Sequence, residues 1–289
     1  MIKVYVAKGL GIGCHEEVAH AYEKAGANVE IVHLKQILNG DKKLSDAQVL
    51  NLSGGFLHGD ILGAGMCAAN ELEHSTVRDG SERKIKDLLL EFKEKGNVVY
   101  GQCNGYQLMV KTRLLPGIDG DFSKQTLTLT HNACGNYRVG FVLHKVEDTK
   151  HFAFKGIDNI RLWCRNGEGN LQFRSQYGSV TKQEAAANRR KVNENHVLLR
   201  YIDPNAESPT QEFRYNANGS IDGIAGLSNG TFFGHMAHPE VGIYASRDPQ
   251  WFSQKDRMRR QGIKAKDLDE KLLEGEALKV FRNIVNHFK

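Results

Sequence analysis

The sequence predicts an α/β fold in which helices cover both faces of a mostly parallel sheet. Two patterns point there. Over the first part of the chain, short apolar runs with β character alternate with stretches of helical spacing, the order that βαβ units produce. The second part breaks into closely spaced β runs, which predicts hairpins or strands added to that sheet. A chain of 289 residues suffices for one large domain of this kind with appendages.

Taken in order, residues 3–7 read as the first strand. Residues 16–25 place Val18, Ala19, Tyr22 and Ala25 at helical spacing and stop at Gly26, a suitable C-cap. Residues 29–34 and 49–52 read as the second and third strands, the latter running into Ser53-Gly54-Gly55. Residues 81–95 form a polar-faced helix closed by Gly96, followed by a buried strand at Val98-Val99-Tyr100 and a helix over 106–115. Further β runs fall at 126–130, 139–146, 160–164, 197–202 and 231–236. Residues 248–267 are expected to be irregular, and the chain from Leu268 onward helical, with Leu272, Leu273, Leu278, Val280, Phe281 and Ile284 as its apolar stripe. The expected division is a domain over 1–245 and a partly helical extension over 246–289.

Composition narrows the function. The formal net charge of +5 is modest, and no basic stripe interleaved with aromatics precedes the tail, which argues against nucleic acid as partner. The one basic cluster, Lys255 to Arg260, is interrupted by Asp256 and reads as a solvated face or a protein contact, with an RNA or phosphate patch as the alternative. No apolar run approaches the roughly 18 residues of a membrane helix, and the opening residues are too strand-like for a signal peptide. Five scattered cysteines without a C-x-x-C pair exclude a disulfide framework and a structural zinc site. A cytoplasmic protein is expected.

Gly101-Gln102-Cys103-Asn104-Gly105, leaving a buried strand and entering a helix, is the most informative segment. It is the sulfur counterpart of the G-x-S-x-G nucleophile elbow. A sharp turn strains the nucleophile's backbone, so the residues two positions away on either side must be small. The helix entrance stabilises a thiolate, the attacking form. Taken alone, the motif also fits a buried structural cysteine beside packing glycines.

A cysteine nucleophile needs an imidazole within hydrogen-bond reach and a third group to fix its tautomer. His238-Pro239-Glu240 supplies both in a stiff, extended stretch: His238 as base and Glu240 as its orienter. His-x-Glu by itself also fits two surface polar residues. His235 and His238 suggest no third ligand, so no metal is expected. Backbone donors for the attacked oxygen are expected at Gly55 and at the N–H of Asn104. Gly9-x-Gly11-x-Gly13 hints at a dinucleotide loop, but its third glycine falls one position early.

In order and spacing, these segments resemble the glutaminase subunit of phosphoribosylformylglycinamidine synthase, a class I glutamine amidotransferase family. The resemblance spans roughly residues 2–240. It continues in Glu16-Glu17-Val18-Ala19-His20-Ala21, Gly54-Gly55-Phe56 with Gly59-Asp60, Arg200-Tyr201-Ile202-Asp203-Pro204-Asn205 and Tyr215-Asn216-Ala217-Asn218-Gly219-Ser220. It implies a three-layer flavodoxin-like sandwich, a triad of Cys103, His238 and Glu240, and glutamine as substrate, with Gln107 and Asn132 as candidate anchors. Ammonia would pass to a large synthetase subunit, accompanied by a small accessory subunit. With no G-x-x-x-x-G-K-[ST] loop here, no cofactor is expected on this chain, and ATP and Mg are expected on the synthetase. Departures from the family pattern fall at Leu57-His58, at Asn166 and between Cys134 and Gly140, on the glutamine contacts and the docking surface. Two rival readings are a non-catalytic amidotransferase-like subunit and a cysteine hydrolase or peptidase of the same architecture.

Overall fold

Side chains that alternate between two cores along the first strand set the layers. In β1 (Lys3–Lys8), Tyr5 and Ala7 enter one apolar cluster while Val4 and Val6 enter another, so the strand separates two cores. The computed structural model describes residues 1–174, 180–264 and 274–289. After β1 come α1 (His15–Lys24), β2 (Asn28–His33), α2 (Leu34–Leu38), β3 (Val49–Leu52), α3 (Met66–His74), α4 (Ile85–Glu94), β4 (Val98–Gln102) and α5 (Asn104–Lys111). The second half adds β5 (Thr128–Thr130), β6 (Arg138–Val146), β7 (Asn159–Asn166), β8 (Asn170–Gln172), α6 (Lys182–Asn195) and β9 (Val197–Tyr201). It closes with β10 (Ile224–Asn229), β11 (Phe232–His235), β12 (Ala237–His238), α7 (Trp251–Arg260) and α8 (Leu278–Asn286).

Ten strands form one sheet in the order β12-β7-β6-β9-β10-β11-β4-β3-β1-β2, and β5 pairs with β8 separately. From β2 through β11 the pairing is parallel; from β11 outward to β12 it is antiparallel. The two halves of the sequence pattern thus become two halves of one sheet. α1 and α8 pack on one face through Tyr22 and Phe281, whose rings meet edge to face at 5.0 Å. α3, α4 and α5 cover the other.

Three local readings change. The helix expected over 81–95 begins at Ile85, because Thr76 and Lys84 bridge and hold the preceding residues in a turn. The stretch 248–267, expected to be irregular, contains α7, a helix with no buried side chain and hence no apolar period to detect. α6 escapes the same test, since Val192 is its only buried residue. Its start carries a sequence signal, the capping box between Thr181 and Glu184. Of the helix expected from Leu268 onward, residues 268–273 lie outside the described residues, and Leu278, Val280, Phe281 and Ile284 form the buried stripe of α8.

Phe281 is fully buried against α1. Phe281→Ala is expected to lower unfolding free energy by about 3–5 kcal/mol, read from denaturant midpoints; a loss below about 1 kcal/mol would mean that α8 is peripheral to the core.

Candidate active site

Because β1, β3, β4 and β11 run parallel, the loops leaving their carboxyl ends converge at one edge of the sheet, where open α/β folds bind ligands. Cys103 stands between β4 and α5 with φ 51° and ψ −108°, a strained backbone that nucleophile elbows share. Both flanking glycines are sterically required. A methyl group on Gly105 would lie 2.0 Å from the main-chain oxygen of Leu52, and one on Gly101 would lie 2.8 Å from Gly105 itself. The N–H of Cys103 donates to the oxygen of His235 at 2.9 Å, tying the elbow to β11.

His238 arrives from β12 and is buried together with Glu240. Its Nδ1 shares a 2.6 Å hydrogen bond with Glu240 Oε1. Its Nε2, also buried, has no hydrogen-bond partner among the described residues. The ring packs over Gly54, where an added Cβ would lie 2.7 Å from His238 Cε1 and 3.3 Å from Cys103 Cβ. Cys103 and His238 therefore flank a residue with no side chain. Burial alone would push the His238 imidazole down, but the charges of Glu240 and Cys103 outweigh it and hold its pKa well above the ordinary histidine value.

Behind Glu240 runs a buried chain of polar side chains. Tyr22 Oη donates to Asn51 Oδ1 at 3.1 Å, Asn51 Nδ2 to Gln102 Oε1 at 3.0 Å, and Gln102 Nε2 to Glu240 Oε2 at 3.3 Å. Each amide accepts from one side and donates to the other, so the last donor faces the carboxylate. Strand alternation places Asn51 and Gln102 on the same face of adjacent strands, beneath α1.

Of the other expected residues, Gly55 and Gln107 line a cavity of about 350 Å³ together with Cys103 and His238. Asn104 begins α5, and its side chain accepts from Leu57 N and donates to Asp60, fastening the loop after β3 to the elbow. Gln107 Nε2 donates to the main-chain oxygen of Glu168. Asn132 is not brought to the cavity wall. It donates to the oxygens of Asn136 and Asn166 and accepts from Gly169 N, bracing the loop that carries Glu168. His235 bonds Tyr100 Oη at 2.7 Å, and burial pushes its pKa down to about 3. The Gly9–Gly13 loop packs onto the residues after β3, with Ile12 bridging Gly55, and forms another cavity wall.

Three cavity residues were not foreseen as functional: Cys14, Arg165 and Glu168. Arg165 and Glu168 share one segment, but Cys14 comes from the loop after β1, and no spacing connects it to them. Cys14 Sγ lies 3.7 Å from His238 Nδ1, and Cys14, His238 and Glu240 present donor atoms within 4.8 Å of one another. Those are zinc-type ligands, but Arg165 Nη2 sits 2.9 Å from the same sulfur and sets a positive charge beside it. Phe56 and Tyr137 stand exposed on the cavity wall, Ile61 and Leu62 on an adjoining cavity that shares Asp60 and Glu168, and Leu10 and Val139 are exposed as well.

An α/β sheet with a strained cysteine at a strand-to-helix turn, and a buried histidine–glutamate pair beside it, defines the class of cysteine-dependent amidotransferases and hydrolases. Residues 1–288 match the model of the CobB/CobQ-like glutamine amidotransferase domain, and the chain belongs to that family. It is 31% identical over 288 residues to "phosphoribosylformylglycinamidine synthase subunit PurQ" of Methanococcus maripaludis, covering 99% of this chain and 97% of that one. The protein of the same name from Dehalococcoides mccartyi is 30% identical over 287 residues, 98% and 96% of the two chains. Among solved structures, that of PurLQS from Thermotoga maritima superposes with a TM-score of 0.65 at 25% identity over the full length of both chains.

The raised His238 value has a thermodynamic consequence. The imidazolium contributes its full stabilisation below about pH 6.5, the unfolded histidine's pKa, and loses it as pH rises through the folded value. The stability gap between wild type and Glu240→Gln is expected to be widest on the acid side of neutrality and to narrow toward alkaline pH. A gap that stays flat with pH would show that the charge on Glu240 does not hold the proton on His238.

Proposed function

We propose that this chain is the glutaminase subunit of phosphoribosylformylglycinamidine synthase and that Cys103, His238 and Glu240 are its catalytic triad. The observation that carries the reading is the elbow at Cys103 with a buried, glutamate-bound imidazole packed beside it in an open cavity. The full-length likeness to proteins of that name supports it.

The Cys103 thiolate attacks the side-chain amide carbon of glutamine. The N–H groups of Asn104 and Gly55 receive the charge that develops on the oxygen. His238 delivers a proton to the leaving nitrogen, ammonia departs, and a glutamyl thioester remains on Cys103. Water then attacks the thioester, His238 takes its proton, and glutamate leaves with the thiolate restored. Glu240 keeps the imidazole in the tautomer that presents Nε2 to the reacting atoms, and the amides of Gln102 and Asn51 hold that carboxylate in place.

Ammonia is destined for a large synthetase subunit that binds ATP and Mg and amidates formylglycinamide ribonucleotide, with a small accessory subunit in the assembly. The exposed apolar side chains of the Cys103 cavity and of the adjoining one, Phe56, Tyr137, Ile61 and Leu62, are where we place the synthetase contact. Five free cysteines fit a reducing compartment, the cytoplasm, and no helix among the described residues is long and apolar enough to cross a membrane.

Cys103→Ala is expected to abolish ammonia release from glutamine by the complex while leaving its synthesis from added ammonia intact; undiminished release would overturn the triad. A glutamine-like diazo ketone should label Cys103 and no other cysteine, as mapped by mass. Ile61→Glu is expected to weaken co-purification with the synthetase while changing the chain's own stability by less than about 0.5 kcal/mol. Unchanged recovery of the complex would move the contact elsewhere.

A further inference from the structure

The cavity at Cys103 carries a charge pattern that the triad does not use. Its described wall has two carboxylates, Asp60 and Glu168, and one permanent cation, Arg165. Arg165 is the second-last residue of β7. Its main-chain oxygen lies 3.7 Å from Cys103 Sγ, so the residue adjoins the nucleophile. Its side chain turns along the wall, where Nη2 donates to Cys14 Sγ at 2.9 Å, and that sulfur in turn lies 3.7 Å from His238 Nδ1.

For a partly buried guanidinium these are poor partners. Sulfur is a weak acceptor, and a guanidinium offers five donors in a planar fork shaped for a carboxylate. Among the described residues, the Arg165 side chain forms no other hydrogen bond and no ion pair with Asp or Glu. Both wall carboxylates, by contrast, already accept hydrogen bonds: Glu168 from Ala64 N, and Asp60 from Gly65 N and Asn104 Nδ2. The cation is the under-used group in the cavity.

We infer that Arg165 binds the α-carboxylate of glutamine and makes the site specific for the free amino acid. The inference rests on the glutaminase reading above. A glutamine whose side-chain amide lies at Cys103 Sγ carries its α-carbon a short aliphatic chain away, with a carboxylate and an ammonium diverging from it. Arg165 takes the carboxylate as a forked, charge-assisted pair. The ammonium faces the acidic side of the wall, at Glu168 and Asp60. A glutamine residue inside a peptide has neither free group and would bring a neutral carbonyl to a partly buried cation. The arrangement thus selects against protein-bound glutamine, the substrate that a peptidase of similar architecture would take.

The test uses the chain co-purified with its synthetase partner and two substrates: glutamine, and 4-aminobutanamide, which is glutamine lacking its α-carboxyl group. Ammonia release by the wild type comes first; none from glutamine would overturn the glutaminase reading itself, and the inference with it. With activity present, Arg165→Met should raise the KM for glutamine on the order of 10- to 100-fold, with kcat changed by less than about threefold. Its kcat/KM for 4-aminobutanamide should equal that of the wild type, and Arg165→Lys should fall between the two for glutamine. Equal losses on both substrates, or a fall in kcat at constant KM, would overturn the assignment and make Arg165 a residue that acts through the thiols. Should Arg165→Met fail to fold, Arg165→Lys decides alone: an effect confined to glutamine supports the assignment, and an equal effect on both substrates sinks it.

Discussion

The site depends on how closely α5 can approach the end of β3. With hydrogen in place of a methyl group at Gly105, the first turn of the helix lies directly against the main-chain oxygen of Leu52. That contact sets the distance between the loop after β3 and the loop after β4. Gly54, Gly55, Asn104 and the cysteine all take their places from it. Holding Cys103 at positive φ costs about 1–3 kcal/mol. It is offset by the bond from its N–H to His235 and by the burial of every residue of α5.

A second constraint comes from charge. Glu240 and His238 are almost fully removed from water, a setting in which an ionised pair is unfavourable unless its remaining valences are filled. One oxygen of the carboxylate bonds the imidazole and the other receives Gln102. The remaining imidazole nitrogen, Nε2, has no hydrogen-bond partner among the described residues. Three side chains from α1, β3 and β4 thus serve a carboxylate that comes from the far end of the sheet.

How much of this was readable in the sequence follows from range. The elbow is local: its strand, two glycines and helix lie within a few residues, and the geometry at Gly101, Cys103 and Gly105 follows the spacing. His238 and Glu240 are also neighbours and their side chains meet, though through a 3-10 turn that begins at Pro239 and not the extended stretch expected. The alternation of β and helical periods anticipated the parallel half of the sheet, but α6 and α7 bury too little to leave a period. Asn132 reads as polar and near the site, yet its bonds turn inward to a loop, which residue type alone does not reveal. Cys14 and Arg165 could not be paired from sequence at all. Only the crossing of the loop after β1 with the end of β7 sets a thiol against a guanidinium.

The edge-to-face contact of Phe281 with Tyr22 bears on the chemistry as well as on the core. Tyr22 is the first donor in the relay that ends on Glu240, and the final helix is what presses it into position. Anything that loosens α8, such as a proteolytic nick, a fused tag or a partner gripping that helix, would slacken the orientation of His238. α8 thus bears on how the Glu240 carboxylate, and through it the imidazole, is held.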